Sequence, residues 1–298
     1  MRATPGAHPL IRTAWVAAIG LLSTGAALAL FGSGGRLLLI LLVGAVVMLL
    51  AGYAGYVIRH LVFERVVRGA EQALDDADLE RARATMSPLL ERYPDLPLVQ
   101  RAAGRTLYAL GDPLSAASLL EKAARSFGDD AVLAATLVGS YAALDRGGDA
   151  RRASALAPRH VDVRLALAWS ELVALGGDRA AGAAIVSDLR GRADVRASVP
   201  RASMAAVLSA TASAYAGEAH TADGALAEVA SARGSQPPFE RAFIGYLEGV
   251  ALRELGRTAD AVTAFERAMA AAPNTIGEAL ARRELANLRA RLPAPATA

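Results

Sequence analysis

Residues 251–273 read ALRELGRTADAVTAFERAMAAAP. Apolar residues fall three and four apart on both sides of Gly256, and Pro273 closes the stretch. That is the spacing of two amphipathic helices joined by a turn. Counted from Gly249 on the first helix, Leu252 stands at +3, Gly256 at +7, Ala261 at +12, Phe265 at +16 and Pro273 at +24. Each residue type has a physical use. A small residue lets the first helix lie close to its partner, and Gly256 ends that helix. Ala261 permits close approach of the second helix, Phe265 fills the space between units, and Pro273 stops the second helix.

The same offsets recur upstream. From Gly104, Leu107 is at +3, Gly111 at +7, Ala116 at +12 and Leu120 at +16, with Gly128 in place of the proline at +24. From Ala70, Ala82 is at +12, Met86 at +16 and Pro94 at +24. Between these units the register blurs. Helix-like runs fall near 130–145, 160–175, 178–190, 199–216 and 221–233, with a short one at 148–158. Gly147-Gly148, Gly176-Gly177 and Gly217 punctuate them. The last run, NTIGEALARRELANLRARL at 274–292, has Asn274 or Thr275 as a cap and Glu278 in its first turn, the pattern of a terminal helix. Residues 293–298 read as a tail. No strand-period alternation stands out, so the expected fold is all-α.

The glycine, alanine, phenylalanine and proline positions resemble the tetratricopeptide repeat, a 34-residue helix–turn–helix unit. The resemblance covers residues 59–273 and is strongest in the last unit. It implies a right-handed α-solenoid whose first helices line a concave groove. In that family the positions −6, −3, +1 and +4 from the small residue face the groove. Here these are Leu98, Arg101, Arg105 and Tyr108 in one unit, and Phe243, Tyr246, Val250 and Arg253 in another. Arg101, Arg105, Tyr108, Tyr246 and Arg253 are therefore the candidate partner-binding residues. Arg101, Arg105 and Tyr108 share one helical face and suit a carboxylate or an acidic peptide. The competing reading is an arginine pair salt-bridged to a neighbouring helix. The lysines and asparagines of the family's carboxylate clamp are absent.

The chain opens differently. Residues 13–35 and 37–58 carry no charge, and each run is long enough to cross a hydrocarbon core as a helix. Gly32-Ser33-Gly34-Gly35 suits the turn of a membrane hairpin. Trp15, Tyr53 and Tyr56 suit the interfaces. Arg2 and Arg12 precede the runs, Arg59, Arg65 and Arg68 follow them, and only Arg36 lies between. Positive residues favour the cytoplasmic side, so both ends are expected there, with residues 1–12 as a short tail. A rival reading takes residues 1–29 as a signal peptide cut after Ala27-Leu28-Ala29. The layout is similar to bacterial inner-membrane proteins with a repeat domain behind two spans. One such group is associated with haem biosynthesis, but no motif here carries that role.

Charge and composition narrow the function. The chain is +3, and residues 1–60 contribute +4 through Arg2, Arg12, Arg36 and Arg59, so residues 61–298 sum to −1. The basic excess flanks the apolar runs, which argues against a nucleic-acid surface. There is no cysteine, and His8, His60, His160 and His220 are scattered, so thiolate chemistry, metals and cofactors are not expected. Asp75-Asp76-Ala77-Asp78 lacks the glycine and closing glutamate of a calcium loop and reads as a turn with a capping aspartate. No G-x-S-x-G or G-K-[ST] occurs. The sequence points to a non-enzymatic, membrane-anchored scaffold that recruits a protein or peptide at the cytoplasmic face of a bacterial inner membrane. The alternative is a structural subunit of an envelope complex.

Overall fold

The structure, a computed structural model, describes residues 35–291. Among them it is all-helical, with no strand. The chain divides into two compact units, Met1–Val66 and Val67–Ala298. The helix α1, Gly35–Asp75, runs through the division.

The first unit is represented by the early part of α1. Val47, Met48, Leu49 and Leu50 are exposed along it. The expected pair of membrane spans is not met among the described residues, where no helix is long and apolar enough to cross a membrane. The first run, 13–35, lies outside them except for Gly35. In the second, side chains are described without a break only over residues 43–54. That stretch is about 18 Å of helix, against a hydrocarbon core of ~30 Å. Residues 32–34 of the expected turn, the signal-peptide reading and the tail 293–298 also fall outside the described residues, while Gly35 begins α1.

The second unit is a succession of helical hairpins. After α1 come α2 (Leu79–Arg92), α3 (Pro97–Ala109), α4 (Pro113–Ala124), α5 (Ala131–Ala143), α6 (Gly147–Ser154), α7 (Val161–Val173) and α8 (Arg179–Arg190). Then follow the single turn α9 (Ala193–Arg196), α10 (Val199–Tyr215), α11 (Ala219–Ala232), a 3-10 turn Arg233–Ser235, α12 (Pro238–Glu254), α13 (Thr258–Ala271) and α14 (Ile276–Arg291). The pairs α3/α4, α5/α6, α7/α8, α10/α11 and α12/α13 pack as hairpins, and each first helix also packs on the next first helix, ending on α14.

The hairpin turns explain the sequence spacing. Ala77, Gly111 and Asp145, each 34 residues apart, and then Gly217 and Gly256, take positive φ at the same place in their turns. In each turn the next residue donates its N–H five residues back: Asp78 to Ala73, Asp112 to Leu107, Arg146 to Tyr141, Glu218 to Ser213 and Arg257 to Leu252. This is the Schellman closure, which needs a left-handed residue. Each of these turns is three residues long; the α7–α8 turn, 174–178, has five and closes differently, with Gly177 N–H donating to Ala174. The longer turn, the short α6, the inserted α9 and the 3-10 turn account for the blurred register between 130 and 235.

Packing confirms the small-residue logic. The fourth residue of each second helix is small and buried: Ala82, Ala116, Ala150, Gly182, Ala222 and Ala261. A methyl on Gly104 would lie 2.7 Å from the Leu120 side chain. One on Gly249 would press into the Phe265 ring. The glycine on one helix is thus the socket for the large residue on its partner.

The last helix returns to the start of the array. At Gly111, an added Cβ would meet Thr275 at 3.2 Å. Arg283 Nη1 donates to the Ala143 carbonyl at 2.9 Å and pairs with Asp145 at 3.3 Å. The α14 start is capped as its sequence implies: the Thr275 hydroxyl accepts from Glu278 N–H, and the Glu278 carboxylate accepts from Asn274 N–H. Likewise, Asp78 caps α2 by accepting from Arg81 N–H.

Candidate functional site

The inner face, where first helices meet, encloses a cavity of about 220 Å³ open to solvent. Its walls come in helical i, i+4 pairs, the spacing that puts two side chains on one face. Leu165 and Trp169 project from α7, Pro200 and Met204 from α10, and Phe239 and Phe243 from α12. Tyr108 of α3 and Ile276 of α14 close the remaining sides. Pro237 and Pro238 fix the start of α12, with Pro238 its first residue, and this places Phe239 in the first turn.

Aromatic packing backs this wall. Trp169 meets Phe243 edge-on, with centroids 4.8 Å apart; Phe243 meets Tyr246 at 6.0 Å, and Tyr246 meets Phe265 at 6.4 Å. The chain of rings ties α7 through α12 to α13. Tyr246 is fully buried within it. Its hydroxyl lies near the Trp169 indole without a hydrogen bond of good geometry. Burial raises its pKa well above the ordinary phenol value, Glu284 adds to this, and Arg283, Trp169 and Arg253 oppose it.

Three charged residues edge the cavity. Arg201 forks onto Asp162 with Nε–Oδ1 at 2.7 Å and Nη2–Oδ2 at 2.8 Å, so that pair is mutually satisfied. Glu240 differs. Its Oε2 is buried and accepts no hydrogen bond, and burial pushes its carboxyl pKa up. Its neighbour Arg241 does not close the gap, because adjacent residues on a helix point to different sides. Among the described residues, no group of three or more His, Asp or Glu side chains is arranged to hold a metal ion.

The five sequence candidates do not form one surface. Tyr108 lines the cavity, its ring partly exposed and its hydroxyl against Gly139, where an added Cβ would fall 2.7 Å away. Burial and the field of Tyr246 raise its pKa. Arg101 is bound by Glu71 at 2.6 Å and Asp130 at 2.6 Å. Arg105 reaches Asp75 at 3.1 Å and Glu71 at 3.4 Å. Both guanidinium groups thus have carboxylate partners within the chain. Arg253 pairs with Glu254 at 2.7 Å and with Glu284 of α14. Tyr246 is core.

The sequence reading passed over Trp169, Met204, Phe239 and Glu240. The i, i+4 apolar spacing of the first three with Leu165, Pro200 and Phe243 was visible, but it is also the spacing of a core face. Only the fold shows that these faces meet at an opening. The class defined by fold and cavity is an all-α array of helical hairpins with an apolar recess on its inner face. No protein-family model matches this chain, and no curated protein matches it.

Proposed function

We propose that this chain is a non-enzymatic, membrane-tethered scaffold that recruits a protein partner through the inner-face cavity of its helical array, on the cytoplasmic side of a bacterial inner membrane. The observation that carries the reading is the cavity itself: open, apolar and edged by a carboxylate with an unmet acceptor. Recesses of this kind take the anchor residues of a partner. The tetratricopeptide-like offsets support an array of the recruiting type, with first helices lining the binding side.

The tether rests on the sequence. The uncharged runs 13–35 and 37–58 are bordered by arginines, and part of the second lies on α1 with its apolar side chains exposed. Confinement to a membrane raises the effective concentration of nearby partners, so a modest cavity affinity suffices.

The test is a plug. Ala166→Phe fills the recess from the α7 wall. Co-purification from detergent-solubilised host membranes compares it with the wild type at matched thermal stability. Loss of one discrete partner with the plug supports recruitment through the cavity; unchanged partners contradict it. For the tether, a C-terminal reporter that works only outside the cytoplasm should stay silent, and activity would overturn the orientation.

A further inference from the structure

The recess is smaller than the 300–1,000 Å³ typical of a whole small-molecule site and larger than the ~150 Å³ that accommodates a benzene ring. A volume near 220 Å³ matches one bulky side chain. Its walls offer Trp169, Phe243 and Met204, which suit an aromatic or long aliphatic group. The edge chemistry adds a sign. Of the three charged groups there, Asp162 and Arg201 neutralise each other, and Glu240 keeps an acceptor oxygen without a donor. Arg105, which lines a neighbouring recess together with Glu240, is held by Asp75 and Glu71. Glu240 has no ion-pair partner among the described residues, so the unpaired charge lining the recess is negative, and its complement is a cation or a strong N–H donor.

We infer that the cavity is an anchor pocket for a peptide segment in which one bulky apolar residue stands next to a lysine or arginine, the ring or chain entering between Trp169 and Met204 and the cation meeting Glu240. This rests on the recruiting reading and gives the partner segment its chemistry. It reverses the polarity expected from Arg101 and Arg105, whose charge is already met inside the chain.

Trp169 sits in the wall and Trp15 is the chain's other tryptophan, so a Trp15→Phe background leaves one indole reporter at the pocket. The full chain in detergent is titrated with acetylated, amidated Phe-Lys, Phe-Gln and Phe-Glu dipeptides, and with the matching Ala-Lys. Saturable changes in Trp169 emission are expected in the order Phe-Lys, Phe-Gln, Phe-Glu, with about tenfold between the first and last at low salt. Ala-Lys should bind far more weakly. Glu240→Gln should bring the Phe-Lys to Phe-Glu ratio close to one while Phe still outbinds Ala. Equal affinity for the three Phe peptides in the wild type, a preference for Phe-Glu, or no saturable change would overturn the inference. The two readings fail separately. If Ala166→Phe loses the partner but the dipeptides show no charge preference, recruitment stands and the anchor chemistry is wrong. If the preference is present but Ala166→Phe keeps the partner, the pocket is real and recruitment runs elsewhere.

Discussion

Two parts of the helical array follow different rules. At α3/α4 and α12/α13, a glycine on the first helix receives a large residue from the second, and a three-residue Schellman turn joins them. From α7 to α10 the turn is longer, an extra helical turn is inserted, and Trp169 occupies the first helix. The regular hairpins supply Tyr108 from α3 and one wall from α12, with Phe239, Glu240 and Phe243. The irregular stretch contributes α7 and α10, half of the cavity's helical wall. The recess lies where the first helices of the two kinds of hairpin meet.

The closure that α14 makes on α12 should be the most sensitive point on the regular side. A Cβ on Gly277 would lie 2.5 Å from the Phe243 backbone nitrogen and 2.6 Å from the Ala242 carbonyl carbon. Backbone cannot swing aside as a side chain can. Gly277→Ala should cost about 3 kcal/mol, the upper end of overpacking, read as a fall in denaturation midpoint. A cost below about 1 kcal/mol would mean that α14 is not seated on α12. Within a regular hairpin, Gly249→Ala drives a methyl into the Phe265 ring and should cost about 2 kcal/mol, since the ring can shift slightly. The same change at Gly148, which has nothing within 4 Å, should be neutral or mildly stabilising, by up to about 1 kcal/mol.

A smaller effect separates turn chemistry from packing. Ala77 holds a φ of 60° where Gly111 and Gly256 hold the equivalent positions. A left-handed alanine costs about 1–2 kcal/mol, offset in part by glycine's larger entropy loss. Ala77→Gly should therefore raise stability by up to about 1 kcal/mol. A loss would show that the Schellman closure does not set this turn.

The smallest effect belongs to Glu240 and depends on pH. Its folded pKa is raised above the ordinary 4.5, so the folded state holds its proton more tightly than the unfolded chain. Stability from this group falls as pH rises above the ordinary value. Glu240→Gln should then be slightly more stable than the wild type at pH 7, and the difference should vanish below pH 4. An advantage that is independent of pH would deny the buried, unpartnered carboxylate.

These contrasts also show what the sequence could carry. The helices at 131–143, 161–173, 179–190, 199–215 and 219–232 fall where periodicity placed them, because an amphipathic face is a local property. The Gly104 and Gly249 roles were legible for the same reason, each belonging to one hairpin; Phe265, expected to fill the space between units, instead packs on Gly249 and Tyr246 of its own hairpin. The single turn α9 was missed, being too short for periodicity. The closure by α14 and the pairing of Arg101 and Arg105 with Glu71, Asp75 and Asp130 depend on helices that meet only when the array is stacked. Replacing those arginines removes inter-helix ion pairs as well as any groove contact, so such variants report on stability before recognition. The cavity was the least legible feature. Leu165 and Trp169 have the pattern of a buried face, and nothing local distinguishes a face that meets another helix from one that meets an opening.

The most direct test places a photoreactive residue at Met204, in the cavity wall, and another at Leu114, exposed on α4. Crosslinking in intact host membranes is followed by mapping of the attached peptide. The account predicts one discrete adduct from position 204, through a segment with a bulky apolar residue beside a lysine or arginine, and none from 114. An adduct from 114 with nothing at 204 would contradict it and point to a complex held by its outer helical faces.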